Sequence, residues 1–277
     1  MQNEQSTERK YDAPLLKEQI DTSDINSTPD NPPWNALSAI GVWLASVFFI
    51  AVFPFLFLIP YVALQNVDLS DQTKMLEFFK SDSTAIILQL AAVLPAHLFT
   101  LILAWAVITQ LNRLSFKQTL GWSWGGFKVW HLIILSFICY AVGIILISLF
   151  GHRETEFQQI LKSSRTAVYI VAFFATFTAP LVEEVVYRGV LYSAFQRHFG
   201  RIVGVVIVTI LFAVVHVPQY YPDFGTILTI LFVSLILTLI RVRAGNLFPC
   251  IVLHTIFNGV QSVLLVSEPY LKNLADQ

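Results

Sequence analysis

Apolar and polar stretches alternate seven times along this chain, the apolar ones covering residues 34–64, 84–109, 129–150, 166–199, 202–216, 225–240 and 247–266. A helix of about 20 apolar residues matches the hydrocarbon thickness of a bilayer, so these runs read as membrane spans. The fold they predict is all-α, a polytopic transmembrane helical bundle of about seven spans. Pro54 and Pro60 inside the first run predict a kink or an early end, because proline removes a helical hydrogen bond. Between the first two spans, the LEFFK segment within 65–83 predicts a short interfacial helix. The run 166–199 has no strong breaker except Pro180. At about 1.5 Å per residue it predicts a helix near 50 Å long, able to cross a bilayer and protrude.

Composition supports the membrane reading and sets the ends apart from it. The 277 residues are 56% hydrophobic and 13% charged, with a mean hydropathy of +0.67, where soluble chains carry about 25% charged residues. Residues 1–33 differ: they are polar, and acidic residues outnumber basic ones. They read as a disordered polar tail, with the first span as an uncleaved anchor. The three spans within 34–150 carry no usable motif, and the candidate chemistry lies in 166–266. A net charge of −1 points away from a nucleic-acid partner and leaves the lipid bilayer and membrane-associated peptides. Cys139 and Cys250 both sit in apolar runs and predict neither a disulfide nor a cysteine metal site. With seven spans, the face bearing the N-terminus collects eleven Lys and Arg against six on the other, which predicts a cytoplasmic N-terminus. Nothing in the sequence sets the oligomeric state.

One stretch contradicts its surroundings. In PLVEEVVYRG, from Pro180 to Gly189, the charged Glu183, Glu184 and Arg188 interrupt an apolar helix. A charge at the centre of a membrane helix costs roughly 2.5–3.5 kcal/mol on insertion scales, so the group needs partners or a chemical task. Glu184 and Arg188 are i,i+4 neighbours and can pair. Glu183 lies about 100° round the helix and is the better general base for activating a water. Counted from the turn at Gly200, Glu183 and His216 are each about 24–26 Å away along helical arms. With the hairpin tip projecting beyond the membrane, His254 shares that depth. His254 and Asn258 are i,i+4 and can donate to a developing oxyanion, and His216 can orient the water. Taken singly, each feature also reads as an ion pair, a helix-end residue or interhelical hydrogen bonding; their common depth favours a site. His97, near Pro95, lacks a partner motif and reads as a satisfied bundle residue. Gly121-Trp-Ser123-Trp-Gly125 fits the pattern of a nucleophile elbow, but lies in a loop between spans rather than between a strand and a helix.

Glu183-Glu184-x-x-x-Arg188, Phe212-x-x-x-His216 and His254-x-x-x-Asn258 resemble, in order, the three signature motifs of the CPBP intramembrane proteases. That family includes CAAX prenyl endopeptidase type 2 and lysostaphin-resistance-protein-A-like proteins. The resemblance implies an intramembrane endopeptidase with Glu183 as water activator, Glu184 and Arg188 as its supports, His216 as partner, and His254 with Asn258 as oxyanion stabilisers. It implies membrane-associated substrates, prenylated or of bacteriocin type, and a bacterial inner (plasma) membrane location. No cofactor is the first choice. The alternative is zinc or another divalent metal on Glu183, His216 and His254, although no His-Glu-x-x-His pair is present. A cytoplasm-facing cavity accepting a flexible peptide is expected. The competing functional classes are a non-catalytic scaffold or bacteriocin-immunity protein, and an ion-coupled transporter, which would be expected to show repeat symmetry.

Overall fold

The computed structural model describes residues 27–65 and 71–275. Within them the chain is helical: α1 (Ala36–Gln65), α2 (Gln72–Ser81), α3 (Ser83–Ala91), α4 (Val93–Ile108), α5 (Phe116–Leu120), α6 (Val129–Phe150), α7 (Glu156–Ser163), α8 (Arg165–Phe173), α9 (Ala179–Glu184), α10 (Tyr192–Phe199), α11 (Arg201–Tyr220), α12 (Phe224–Ala244) and α13 (Phe248–Ala275). Two π-helical turns, Phe174–Thr178 and Val185–Leu191, join α8, α9 and α10 into one continuous span. Seven helices, or continuous helix groups, are long and apolar enough to cross a membrane. Of the expected tail, residues 1–26 lie outside the described residues.

Most boundaries follow from local chemistry. Asp71, Asp82, Thr155, Ser164 and Asp223 each cap a helix by accepting a backbone N–H from its first turn, which supplies partners to donors that have none within the helix. The interfacial helix expected around LEFFK is α2. The proline expectations are corrected in part. α1 continues through Pro54 and Pro60 to Gln65, and α11 carries Pro218 in its last turn. The second span is instead interrupted at Ala92, three residues before Pro95.

α11 packs on α12, α12 on α6, α1 on α4, and α13 on α8 and the first π turn. Residues 27–33, which composition assigns to the tail, are seated on the bundle. Arg241, fully buried, pairs with Asp30 at 3.0 Å and donates to the Pro29 carbonyl at 2.7 Å. Arg197 donates to Pro32, and the Trp34 indole donates to the Val190 carbonyl at 3.0 Å. This segment closes the end of the bundle that carries the N-terminus, hereafter the N-terminal face. The loop with the elbow-like pattern lies on the same face, and its glycines have packing reasons. A Cβ at Gly125 would lie 2.4 Å from the Ala244 carbonyl, and one at Gly121 would lie 2.5 Å from Asn246 Oδ1. Ser123 Oγ donates to Asn246 at 2.9 Å. The pattern therefore seats the loop against the α12–α13 turn.

Candidate active site

Two departures from α-helical geometry shape the span that carries Glu183, Glu184 and Arg188. In the first π turn the Ala179 N–H donates to the Phe174 carbonyl, five residues back. The next N–H in that register would serve Ala175, but residue 180 is proline and has none. Asn258 supplies the missing donor: its Nδ2 donates to the Ala175 carbonyl at 2.9 Å. Ser262 Oγ donates to the Ala172 carbonyl at 3.3 Å and accepts from the Thr176 hydroxyl at 2.9 Å. In hydrocarbon an unsatisfied carbonyl costs several kcal/mol, so α13 carries the polar groups that permit the irregular turn. Pro180 thus leaves the Ala175 carbonyl for Asn258 to satisfy. Asn258, expected as an oxyanion donor, has one amide N–H committed there and one left over.

The two glutamates face different surroundings. Glu184 and Arg188 are fully buried and pair at 2.8 Å, as their spacing predicts. Arg188 is held further by α12, donating to Ser234 Oγ at 2.8 Å, the Ser234 carbonyl at 2.9 Å and Thr238 Oγ1 at 3.2 Å. Its guanidinium carbon stands 4.6 Å from the centre of the Phe212 ring, within cation–π range. Ser234 and Thr238 escaped the sequence reading. Their only signal is an i,i+4 pair of small polar residues in an apolar span, a pattern common in membrane helices.

Glu184 Oε1 also accepts from His254 Nδ1 at 2.8 Å, while His254 Nε2 lies 3.7 Å from Glu183 Oε2. The imidazole thus stands between two carboxylates. The nearest histidine contact of Glu183 among the described ion pairs is therefore His254, whereas the sequence reading paired it with His216. His216 Nδ1 donates to the Phe212 carbonyl at 2.7 Å, which leaves its Nε2 as an acceptor. The Phe212 ring packs against both histidines, 4.7 Å from His216 and 5.9 Å from His254 between ring centres. Phe212 is thus the spacer around which Arg188 and both imidazoles are arranged.

Glu183, His216, His254 and Asn258 all line one cavity of about 380 Å³. The Glu183 side chain is 24% exposed, Glu184 not at all. From Glu183 the lining runs through Phe174, Ile230 and Val233 to Ile147, Phe157, Tyr220 and Thr226, at the ends of helices on the face opposite the N-terminal one. In the other direction residues 184–195 are all buried, packed with Trp34, Ile108, Leu120 and Leu247. This corrects the expected geometry: the cavity leads away from the N-terminal face, so a cytoplasmic N-terminus and a cytoplasm-facing cavity do not go together.

The donor set bears on the metal alternative. Among the described residues no three His, Cys, Asp or Glu side chains gather closely enough to hold a metal ion. Glu183, His216 and His254 share the cavity without forming such a group. As arranged, these three side chains do not fit a common metal ion.

Comparison with known proteins agrees with the segment that carries the site. Residues 165–260 match the family described as type II CAAX prenyl endopeptidase Rce1-like. No curated protein and no solved structure matches the chain. The matched stretch begins with α8, ends within α13 and contains Glu183, Glu184, Arg188, His216, His254 and Asn258. Residues 165–260 are therefore the part of this integral membrane protein that is similar to the Rce1-like family of type II CAAX prenyl endopeptidases.

Proposed function

We propose that the protein is an intramembrane endopeptidase in which Glu183 activates water for attack on a peptide carbonyl. The observation that carries this reading is the division between adjacent carboxylates. Glu184 is sequestered by Arg188 and His254, whereas Glu183 reaches the cavity. Two carboxylates in contrasting surroundings can take different roles.

His254 Nδ1–H donates to Glu184, so a neutral imidazole would set the Nε2 lone pair against Glu183 across 3.7 Å. A proton on Nε2 would make that atom a donor placed between Glu183 and the carbonyl oxygen of a bound peptide. In the reaction Glu183 takes a proton from water as its oxygen bonds to the carbonyl carbon. The oxyanion that forms is stabilised by His254 and the remaining Asn258 N–H. Glu183 then returns the proton to the amide nitrogen as the C–N bond breaks, so atoms and charge balance without a cofactor. His216 Nε2 accepts a hydrogen bond from the water and orients it.

The substrate in this reading is a membrane-associated peptide, prenylated or of bacteriocin type, and the location is the bacterial plasma membrane. The excess of basic residues on the N-terminal face favours a cytoplasmic N-terminus, and the cavity mouth then faces away from the cytoplasm.

Glu183→Gln tests the reading. It is expected to abolish cleavage while the purified protein keeps its helix content and thermal transition. Retention of a cellular phenotype by that variant would instead support a scaffold. Activity should survive exhaustive chelation, and its loss with recovery on adding zinc would overturn the metal-free mechanism.

A further inference from the structure

His97 stands outside the matched segment, on α4, and the mechanism above does not use it. It lies 14 residues into the second span from the face toward which the cavity leads, while Glu183 lies 18 residues into its own span from the same face. The two are thus at similar depth, and His97 lines the same cavity as Glu183, His216 and His254.

The ring is held by one nitrogen. His97 Nδ1 lies 2.9 Å from Thr178 Oγ1, in the π turn just before Pro180, and the Thr178 hydroxyl donates to the Phe174 carbonyl at 3.4 Å. We propose that Thr178 Oγ1 directs its proton to Phe174 and accepts from His97, so that the imidazole proton sits on Nδ1. His97 Nε2 then carries a lone pair, and no described residue donates to it. The Phe174 ring stands edge-on, 6.5 Å away between centres, and limits rotation. The residue is only 7% exposed, so an imidazole acceptor is kept oriented at the cavity wall with none of the described residues bound to it.

We propose that His97 Nε2 is a substrate-binding acceptor, taking a hydrogen bond from a backbone N–H of the peptide and holding it across Glu183. This rests on the endopeptidase reading and gives the N-terminal three spans a direct part in the site. His254 and Asn258 donate toward the peptide carbonyl; a peptide strand also presents N–H groups, and an acceptor on the facing wall meets them.

The test uses the substitutions that mimic one imidazole nitrogen at a time. His97→Asn keeps an amide N–H for Thr178 and removes Nε2, whereas His97→Gln extends an amide to the Nε2 position. With the full chain in liposomes and a quenched fluorescent farnesylated CAAX peptide as probe, His97→Asn is expected to lower kcat/KM about tenfold or more, chiefly through KM. His97→Gln should recover part of the loss. Wild-type kinetics in His97→Asn would overturn the proposal by reducing His97 to a structural tether. Nitrogen-15 histidine NMR of the same preparations gives a readout that does not need turnover. His97, identified by its absence from His97→Asn, should have a protonated Nδ1 and an unprotonated Nε2 that shifts in Glu183→Gln. A protonated Nε2 would overturn the proposal. If the wild type cleaves nothing, the endopeptidase reading falls, while the NMR result still decides the state of His97.

Discussion

At the scale of single residues, the fully buried Glu184–Arg188 pair and the cavity-lining Glu183 should respond differently to the same kind of change. Among the described residues, Arg188 and His254 are the partners in direct contact with the fully buried Glu184 carboxylate. Removing one partner of a buried pair strands the other and costs about 3–5 kcal/mol. Arg188→Met should therefore lower the denaturation midpoint strongly, and Glu183→Gln should leave it near wild type. Calorimetry in detergent on both variants distinguishes the roles independently of activity. Equal destabilisation would mean that Glu183 is also structural. Ser234→Ala and Thr238→Ala should cost less, about 1.5–3 kcal/mol each, since Arg188 keeps its remaining partners.

The unit of behaviour at the next scale is the π turn with its proline. Pro180 leaves Ala175 without its helical donor, and Asn258 replaces it from α13. The two residues should be coupled. Asn258→Ala alone leaves that carbonyl without its protein donor, about 1–3 kcal/mol. In a Pro180→Ala background, where residue 180 regains an N–H, the same change should cost far less. A double-mutant cycle on thermal stability measures the coupling, and additive effects would refute the exchange of donors. The elbow-like loop makes a second element-scale prediction. Gly125→Ala forces a Cβ against the Ala244 carbonyl at a positive φ of 53°, and should destabilise by about 1–3 kcal/mol, while Ser123→Ala leaves cleavage intact.

For the molecule as a whole, closure of one face and access from the other are the governing facts. The segment around Asp30 and Trp34 is tied to Arg241 and Val190, and residues 184–195 are packed shut. The cavity that holds Glu183 therefore leads to the opposite face. Both native cysteines are buried, so single cysteines can be placed with little background. With a cytoplasmic N-terminus, a cysteine introduced by Lys74→Cys should react with an impermeant thiol reagent in intact cells, and one introduced by Gln118→Cys only after lysis. The reverse pattern would place the cavity mouth in the cytoplasm.

Spans and the Glu184–Arg188 pair were legible in the sequence because they depend on local quantities: hydropathy over about 20 residues and a four-residue spacing. Grouping Glu183, His216 and His254 was legible for a related reason, since helical rise converts residue number into depth. Rotation about each helix axis is set by packing against neighbours, and depth counting carries no information on it. Only the tertiary structure therefore decided that His254 rather than His216 meets both glutamates, that α12 supplies Ser234 and Thr238 to Arg188, and that Asn258 serves the carbonyl vacated by Pro180. The direction of the cavity belongs to the same class. It follows from which half of each span finds a partner, here the half closed by residues 27–34, a segment whose polar composition gave no sign of a docking surface beneath it.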